Sequence, residues 1–266
     1  MELFTQRTPR VVAARRLHRR RDRDETRRFL AEGPQAVREA LAASAVLELF
    51  ATPAARERYA ELVGAAPKVS SITEDGLAVL AETVAPQGMV AVCAAPDVAI
   101  GTALASRPRL VAVLAGIRDP GNAGTVLRTA DAAGAGSVVF AGDAVDPYNG
   151  KCVRASAGSL FHVDVVRHGD PAGVLAELRA AGLTVLAADP YGGADLDALA
   201  DSGALCRPTA WLFGSEAHGL PADLADAADE RVRVPLYGKA ESLNLAAAAA
   251  VCLYASARAQ RAGWPG

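Results

Sequence analysis

Residues 110–134 read LVAVLAGIRDPGNAGTVLRTADAAG, and this stretch decides the interpretation of the fold. Residues 110–115 form a nearly continuous apolar run, which is typical of a strand covered on both faces of a sheet. A Pro-Gly turn follows, and small and apolar residues at helical spacing then predict a helix over residues 123–133. A buried strand that leads directly into a helix is the repeating unit of a parallel α/β sheet.

The remainder of the C-terminal half repeats this pattern. Further strands are predicted at 137–140, 183–187, 210–213 and 231–234, and further helices at 172–181 and 243–261. Strands that alternate with helices predict a parallel sheet with helices on both faces. Ligands of such sheets bind beyond the carboxyl ends of the strands. The loops after Ala115, Phe213 and Val234 are therefore the candidate ligand-binding loops.

The first hundred residues predict a smaller α/β domain. A helix is predicted over 24–43 with a break at Gly33-Pro34, Thr52 and Thr73 are predicted to cap the next two helices, and strands are predicted at 46–50, 68–71 and 89–93. The predicted organisation is a basic N-terminal arm (1–22), the small domain (23–94), a linker (95–108) and the larger domain (109–266).

Positive charge is concentrated at one end of a chain whose formal net charge is only −2. Residues 1–30 hold ten arginines against four acids. Such a segment on a nearly neutral protein indicates a partner rich in phosphate, and it fits a solvated helix face in an arginine-rich chain equally well. The candidate phosphate-binding residues are Arg15, Arg16, Arg19, Arg20 and Arg21.

Composition excludes several classes of protein. A chain with 51% hydrophobic residues is not intrinsically disordered. No apolar run reaches the roughly 18–20 residues of a membrane span, and residues 7–28 are rich in arginine where a secretory signal needs apolar residues. We therefore expect a cytoplasmic protein. Four distant cysteines and four histidines without ligand spacing predict free thiols and no metal site.

The first candidate loop combines a helix start with a cation. Asn122 is predicted to cap the helix. Arg128 lies about two turns further on, on the face shared with Gly121 and Gly124. A helix N-terminus together with a cation can hold a phosphate group, and an ordinary surface arginine on a strand–helix unit is the alternative.

The other two loops are rich in small residues. Gly214 and Gly219 flank Glu216 and allow the backbone to approach a ligand closely, although a glycine-rich turn held by a glutamate also explains the segment. The pattern is not a Gly-x-Ser-x-Gly nucleophile elbow. Ser242 and Asn244 open a helix of alanines that allows another element to approach, and a simple serine or asparagine cap is the alternative.

Taken in order, three segments resemble the three motifs of the SpoU (TrmH-type) RNA ribose 2′-O-methyltransferases. They are GNAGTVLRTADAAG (121–134), LFGSEAHGLP (212–221) and VPLYGKAESLNLAAAAAVCLY (234–254). FLAEGPQAVREAL (29–41) also resembles part of the RNA-substrate-binding domain of that family. The resemblance covers most of the chain and is weakest over 1–20 and 94–108.

For the fold, the resemblance implies an α/β protein in which a trefoil-knotted (SPOUT) parallel-sheet methyltransferase domain follows a small L30e-like RNA-binding domain. It further implies that the knotted domain pairs with a second copy as a homodimer and binds S-adenosylmethionine without a metal. The implied cofactor-binding residues are Gly214, Val234, Leu236, Leu243 and Asn244.

For catalysis, the resemblance implies a set formed by Arg128, Asn122 and Asn244. A guanidinium does not readily lose its proton. We therefore expect Arg128 to stay cationic, bind the adjacent phosphate and stabilise charge that develops on the ribose 2′-oxygen. Asn122 would orient Arg128 or the ribose. The supporting residues would be Glu216, Gly219 and Ser242.

The expected function is transfer of a methyl group to a ribose 2′-hydroxyl. Ribosomal RNA is the preferred substrate, because an α/β substrate domain in a two-domain layout is common among members of the family that modify it. A transfer-RNA methyltransferase and a non-catalytic RNA-binding protein of the same fold are the alternatives. A Rossmann-type nucleotide enzyme is disfavoured, since no Gly-x-Gly-x-x-Gly follows the first strand of either domain.

Overall fold

The computed structural model describes residues 3–262, which form two compact units. The first unit comprises the chain up to Pro96 together with Tyr148–His162, and the second comprises Asp97–Pro147 together with the chain from Val163 onward. Residues 1–2 and 263–266, the outer ends of the predicted arm and larger domain, lie outside the described residues. Segment 148–162, predicted within the larger domain, packs instead with the smaller unit.

Helices and strands are distributed along the whole described chain. Up to Pro96 they are α1 (Pro9–Arg15), α2 (Arg20–Thr26), β1 (Arg28–Glu32), α3 (Pro34–Ala42), β2 (Val46–Ala51), α4 (Pro53–Arg58), α5 (Ala60–Ala65), β3 (Val69–Ser71), α6 (Glu74–Ala78) and β4 (Met89–Ala94). Beyond it they are α7 (Ile100–Ala105), β5 (Leu110–Ala115), α8 (Pro120–Ala133), β6 (Ser137–Ala141), α9 (Gly150–Ser156), β7 (Asp164–His168), α10 (Pro171–Ala180), β8 (Thr184–Ala188), β9 (Ala194–Asp195), α11 (Leu196–Asp201), β10 (Thr209–Phe213), α12 (Ala222–Asp226), β11 (Glu230–Arg233) and α13 (Leu245–Ala262).

The first unit is built on a four-stranded sheet in the order β1-β4-β2-β3. β4 is antiparallel to β1 and β2, and β3 runs parallel to β2. Val11, Ala14 and Leu17 lie in the same buried cluster as Leu30 and Phe50 of the sheet. The segment predicted as a basic arm is therefore a helical layer whose apolar side covers the sheet, and most of its arginines are exposed.

The helix predicted over 24–43 is wrong in its middle, because residues 28–32 form strand β1. Phe29 and Leu30 are both buried, and neighbouring strand residues point to opposite faces. Leu30 joins the cluster under α1, while the Phe29 ring lies 4.8 Å from that of Tyr148 and 5.9 Å from that of Phe161. Pairing with β4 and burial on two faces outweigh the local helical spacing.

Several local predictions are confirmed. Thr52 and Thr73 cap α4 and α6 by accepting hydrogen bonds from the N–H groups of Ala55 and Gly76. The four cysteines are free. Burial raises the pKa of Cys93 and raises that of Cys252 to about 12, so both thiols stay protonated at neutral pH.

The second unit contains the predicted parallel sheet. Its seven strands follow the order β7-β6-β5-β10-β8-β11-β9, and every neighbouring pair is parallel. β7 and the two-residue β9 were not predicted from the sequence. The segment predicted as a linker contains α7, whose Ile100 and Ala103 belong to the buried core of this unit. Its apolar residues are three positions apart and so face the same side of a helix.

One connection of the sheet crosses a strand. β8 and β9 pair with opposite edges of β11, so the segment 189–193 that joins them must pass over β11. Gly192 lies at this crossing, and a Cβ there would come within 2.4 Å of the Arg231 carbonyl oxygen. Only glycine allows such a close approach of two backbones. The trefoil knot itself stays a prediction.

Candidate active site

The three candidate loops are joined by side-chain hydrogen bonds. Asn122 Nδ2 donates to Glu216 Oε1 over 2.9 Å, and Asn244 Nδ2 donates to Asn122 Oδ1 over 3.3 Å. Asn122 lies at the start of α8, Glu216 lies in the loop after β10, and Asn244 immediately precedes α13. Asn122 is 94 positions from Glu216 and 122 positions from Asn244 in the sequence. The two hydrogen bonds therefore join three distant residues into one polar run.

The start of α8 differs from the prediction in one respect. Asp119, not Asn122, is the N-cap, since its Oδ1 accepts a hydrogen bond from the Asn122 N–H over 2.8 Å. Pro120 occupies the first helical position, which its fixed φ favours. Because Asp119 satisfies the backbone, the Asn122 side chain is available to bind the other two loops.

The start of α13 follows the prediction. Asn244 Oδ1 accepts hydrogen bonds from the N–H groups of Ala246 (2.9 Å) and Ala247 (3.4 Å), as an N-cap does. Capping fixes the orientation of the Asn244 amide and directs its NH₂ group at Asn122. Ser242, the other predicted residue at this point, is exposed and makes no hydrogen bond within the described chain.

The loop after β10 is a tight turn. Ser215 and Gly219 exchange two backbone hydrogen bonds, and Gly219 has a φ of +66°. A Cβ on Gly214 would lie 2.3 Å from the Gly219 carbonyl carbon. Both glycines are required by the backbone, and together they present Glu216 to Asn122.

Arg128 is an exposed residue of α8. In the part of the chain that the structure describes, its side chain makes no hydrogen bond and no ion pair. The structure does not join Asn122 to Arg128, because the Asn122 amide is engaged by Glu216 and Asn244. An exposed guanidinium without a partner has all its donors available to a phosphate group.

A cavity of about 410 Å³ lies beside the end of β11. Its walls include Val234, Leu236 and Leu243, three of the predicted cofactor-binding residues, whereas Gly214 and Asn244 are not among them. Sequence reasoning missed the six other wall residues, and Asp197 and Tyr237 are two of them. Asp197 lies outside the three motif segments, and it meets Tyr237 only when α11 packs beside the loop.

A hydrogen bond joins the side chains of Asp197 and Tyr237. The Tyr237 hydroxyl donates a hydrogen bond to Asp197 Oδ2. This bond, then desolvation and the negative charge of Asp197, raise the pKa of Tyr237 above its usual value. Both side chains contribute to the wall of the cavity.

The predicted phosphate-binding arginines are of two kinds. Arg16 bonds to the buried Asp22 through Nε (2.9 Å) and Nη2 (2.7 Å), and Arg20 pairs with its neighbour Asp24. The other three, Arg15, Arg19 and Arg21, are exposed, and their side chains make no hydrogen bond or ion pair within residues 3–262. Over the same residues the structure shows no cluster suited to a metal ion and no helix long and apolar enough to cross a membrane.

Comparison with known proteins identifies the family. Residues 109–254, more than half of the chain, match the SpoU rRNA Methylase family. The chain belongs to this family. Residues 8–91 match the MRM3-like substrate binding domain, so the first unit of this SpoU protein corresponds to a known class of domain. The SpoU match contains all three loops of the polar run.

Individual SpoU relatives cover nearly the whole chain. The 23S rRNA (guanosine(2553)-2′-O)-methyltransferase RlmP of Bacillus subtilis is 36% identical over 90% of this chain and 92% of its own length. An rRNA methyltransferase from Sinorhizobium meliloti, solved with AdoMet bound, is 32% identical, with a TM-score of 0.83 and 97% of each chain covered. The SpoU methyltransferase AviRb from Streptomyces viridochromogenes, in complex with AdoMet, is 30% identical, with a TM-score of 0.85 over 97% of this chain and 99% of AviRb.

Proposed function

We propose that this protein transfers the methyl group of S-adenosylmethionine to a ribose 2′-hydroxyl of ribosomal RNA. The observation that carries the proposal is the polar run from Glu216 through Asn122 to Asn244, which links the three motif loops of a SpoU family member. The RlmP and Sinorhizobium relatives, whose names specify ribosomal RNA, support the substrate class.

The cavity beside β11 suits S-adenosylmethionine. Its volume lies within the roughly 300–1,000 Å³ of small-molecule sites, and Val234, Leu236 and Leu243 offer apolar walls to the carbon atoms of the ligand. We propose that Gly214 and the backbone near Asn244 complete the site. When bound, the cofactor supplies an electrophilic methyl group on a positively charged sulfur.

Arg128 is proposed as the residue that acts on the RNA. Its free guanidinium would bind the phosphate next to the target ribose through two parallel hydrogen bonds. The same positive charge would stabilise the negative charge that develops on the 2′-oxygen as its proton leaves. Arg128 would thus work as a fixed cation rather than as a base, because a guanidinium does not readily give up a proton.

Asn122, Glu216 and Asn244 would hold the loops in register rather than take a proton. Each amide in the run donates to the next residue, so the orientation of each side chain depends on its neighbour. Methyl transfer requires the acceptor oxygen and the methyl group to be in line, so small displacements of these loops would be costly.

The first unit is proposed to bind RNA through Arg15, Arg19 and Arg21. These side chains are exposed and unpaired within the described chain, whereas Arg16 is committed to Asp22. Binding that uses phosphate contacts weakens steeply with salt. The proposal therefore separates the five predicted arginines into contacts with RNA and contacts within the protein.

A homodimer through the second unit is also proposed. Val251 and Tyr254 of α13 are exposed apolar residues three positions apart, which places them on the same side of the helix. A second copy of the same helix would cover them. Ribosomal RNA as the substrate would place the protein in the cytoplasm.

The proposed function is tested by methyl transfer from radiolabelled S-adenosylmethionine to total ribosomal RNA and, separately, to total transfer RNA. We expect label on ribosomal RNA, loss of label with Arg128→Ala, and measurable remaining activity with Arg128→Lys. The lysine variant keeps the charge but lacks the forked geometry. Label on transfer RNA alone would overturn the substrate class, and RNA binding without cofactor binding would indicate a non-catalytic protein.

A further inference from the structure

We propose that the hydrogen bond from Tyr237 to Asp197 is a latch that holds one wall of the cofactor cavity in the shape that binds S-adenosylmethionine. The inference rests on the proposed function, since that function names the ligand of the cavity. It assigns a positioning role to two residues that lie outside the atoms that react.

The latch is the principal restraint on an otherwise loosely held loop. Residues 235–243 run from the end of β11 towards α13 without regular structure. In the described part of the chain, the bond from the Tyr237 hydroxyl to Asp197 Oδ2 is the one hydrogen bond that these residues make. A loop with so few bonds samples several conformations unless a specific contact selects one.

The partner side of the latch is firmly built. Asp197 lies in the first turn of α11, and its N–H donates to Asp195 Oδ1 over 3.0 Å. Asp195 also pairs with Arg233 at the end of β11 over 3.3 Å. The chain that leaves β11 is thus tied to the start of α11 twice, first through Arg233 and then through Tyr237.

The position of the latch connects it to the ligand. Tyr237 follows Leu236 directly, and both line the cavity together with Asp197. Holding Tyr237 against α11 therefore fixes the position of the preceding residue, Leu236. It also fixes the distance from Leu236 to Val234, which comes just before Pro235 in the sequence. Without the latch, the loop would adopt the conformation that binds the ligand in only a fraction of the molecules. The apparent affinity would then be reduced in proportion to that fraction.

The Tyr237 ring itself contributes little packing, because the residue is 87% exposed. Replacing it with phenylalanine removes the hydroxyl and leaves the fold intact. We expect a three- to tenfold weaker affinity for S-adenosylmethionine, in line with about one lost hydrogen bond to a charged group on the surface.

The test is calorimetric titration of S-adenosylmethionine into the full-length wild-type protein and into Tyr237→Phe, Asp197→Ala and Asp197→Asn. Tyr237→Phe and Asp197→Ala should weaken binding equally, and Asp197→Asn should restore much of it, since the amide oxygen still accepts from Tyr237. Steady-state kinetics should show a raised KM for the cofactor with kcat unchanged. Tyr191→Phe, at another tyrosine of the second unit that is 88% exposed, is the matched control.

The double variant Tyr237→Phe/Asp197→Ala separates the latch from a direct contact. If the two residues act through their mutual bond, the double variant binds as the single variants do. Additive losses would show that Asp197 touches the ligand independently and would overturn the latch, as would an unchanged affinity of Tyr237→Phe. A wild-type protein that binds no S-adenosylmethionine would instead refute the proposed function, and the latch with it.

Discussion

The side-chain amide of Asn244 donates a hydrogen bond to Oδ1 of Asn122 over 3.3 Å, although the two residues are 122 positions apart. The same Asn244 caps α13 through its Oδ1, so one side chain starts a helix and joins two loops. Asn122 continues the run to Glu216. Because each amide has a donor end and an acceptor end, the order of these contacts leaves each amide only one orientation.

Replacing Asn244 by aspartate separates the two roles of this residue. Aspartate caps a helix about as well as asparagine, so the melting temperature should change little. It cannot donate to Asn122, and two facing oxygen atoms repel. We expect about a tenfold or larger loss of methyl transfer, which corresponds to one broken and one repulsive contact. Asn149→Asp, at the cap of α9 in the first unit, is the matched control and should keep full activity.

Gly214→Ala should disrupt the loop that presents Glu216. Its Cβ would lie within 2.4 Å of backbone atoms of Gly219 and Leu220, which cannot move aside without opening the turn. We expect weaker binding of S-adenosylmethionine and at least a tenfold drop in activity, measured by titration and by methyl transfer. Gly193→Ala, where no atom lies within 4 Å of the added carbon, should behave as wild type. Equal behaviour of the two variants would contradict the close packing of this turn.

The arginines of the first unit should differ in their effect on the salt dependence of RNA binding. Each phosphate contact that is lost lowers the magnitude of the negative slope of log Kobs against log salt by about 0.7–0.9. The double variant Arg15→Ala/Arg19→Ala loses two contacts, so the magnitude of its slope should fall by about twice that amount. Its melting temperature should stay unchanged. Arg16→Ala should leave the slope unchanged but lower the stability by about 1–3 kcal/mol, because the buried Asp22 loses its partner.

The exposed Arg107 serves as the control for the arginine series, since it makes no ion pair within the described residues and lies in the second unit. Arg107→Ala should change neither the slope nor the melting temperature. A slope that falls as much for Arg107→Ala as for the double variant would show only a general effect of net charge and would argue against a phosphate-binding surface on the first unit.

The Tyr237 hydroxyl should ionise at higher pH than an ordinary tyrosine, because Asp197 holds its proton and opposes a second negative charge. A group whose pKa is raised by folding adds stability at pH values below its unfolded pKa of about 10. That stability is lost as the pH rises through the folded pKa. Difference absorbance titration of wild type against Tyr237→Phe measures the ionisation, and Asp197→Ala should return the pKa towards its usual value.

Periodicity alone predicts most of the second unit, because buried parallel strands carry continuous apolar runs and the helices between them carry their own spacing. It fails at residues 28–32, where burial on two faces of a sheet overrides a local helical pattern. It also misses β9, which has two residues and exists only through its pairing with β11.

The candidate site also has one part that the sequence predicts and one part that depends on the tertiary structure. Sequence by itself determined which loops are candidates for the chemistry and named Asn122, Arg128, Glu216 and Asn244, since motif residues and their order are local properties of the chain. Only the tertiary structure decided that Asp119 caps α8, that three amide and carboxylate side chains meet, and that Tyr237 is bonded to Asp197. Contacts between residues 40 to 122 positions apart depend on how strands are ordered in the sheet, and no local pattern encodes that order.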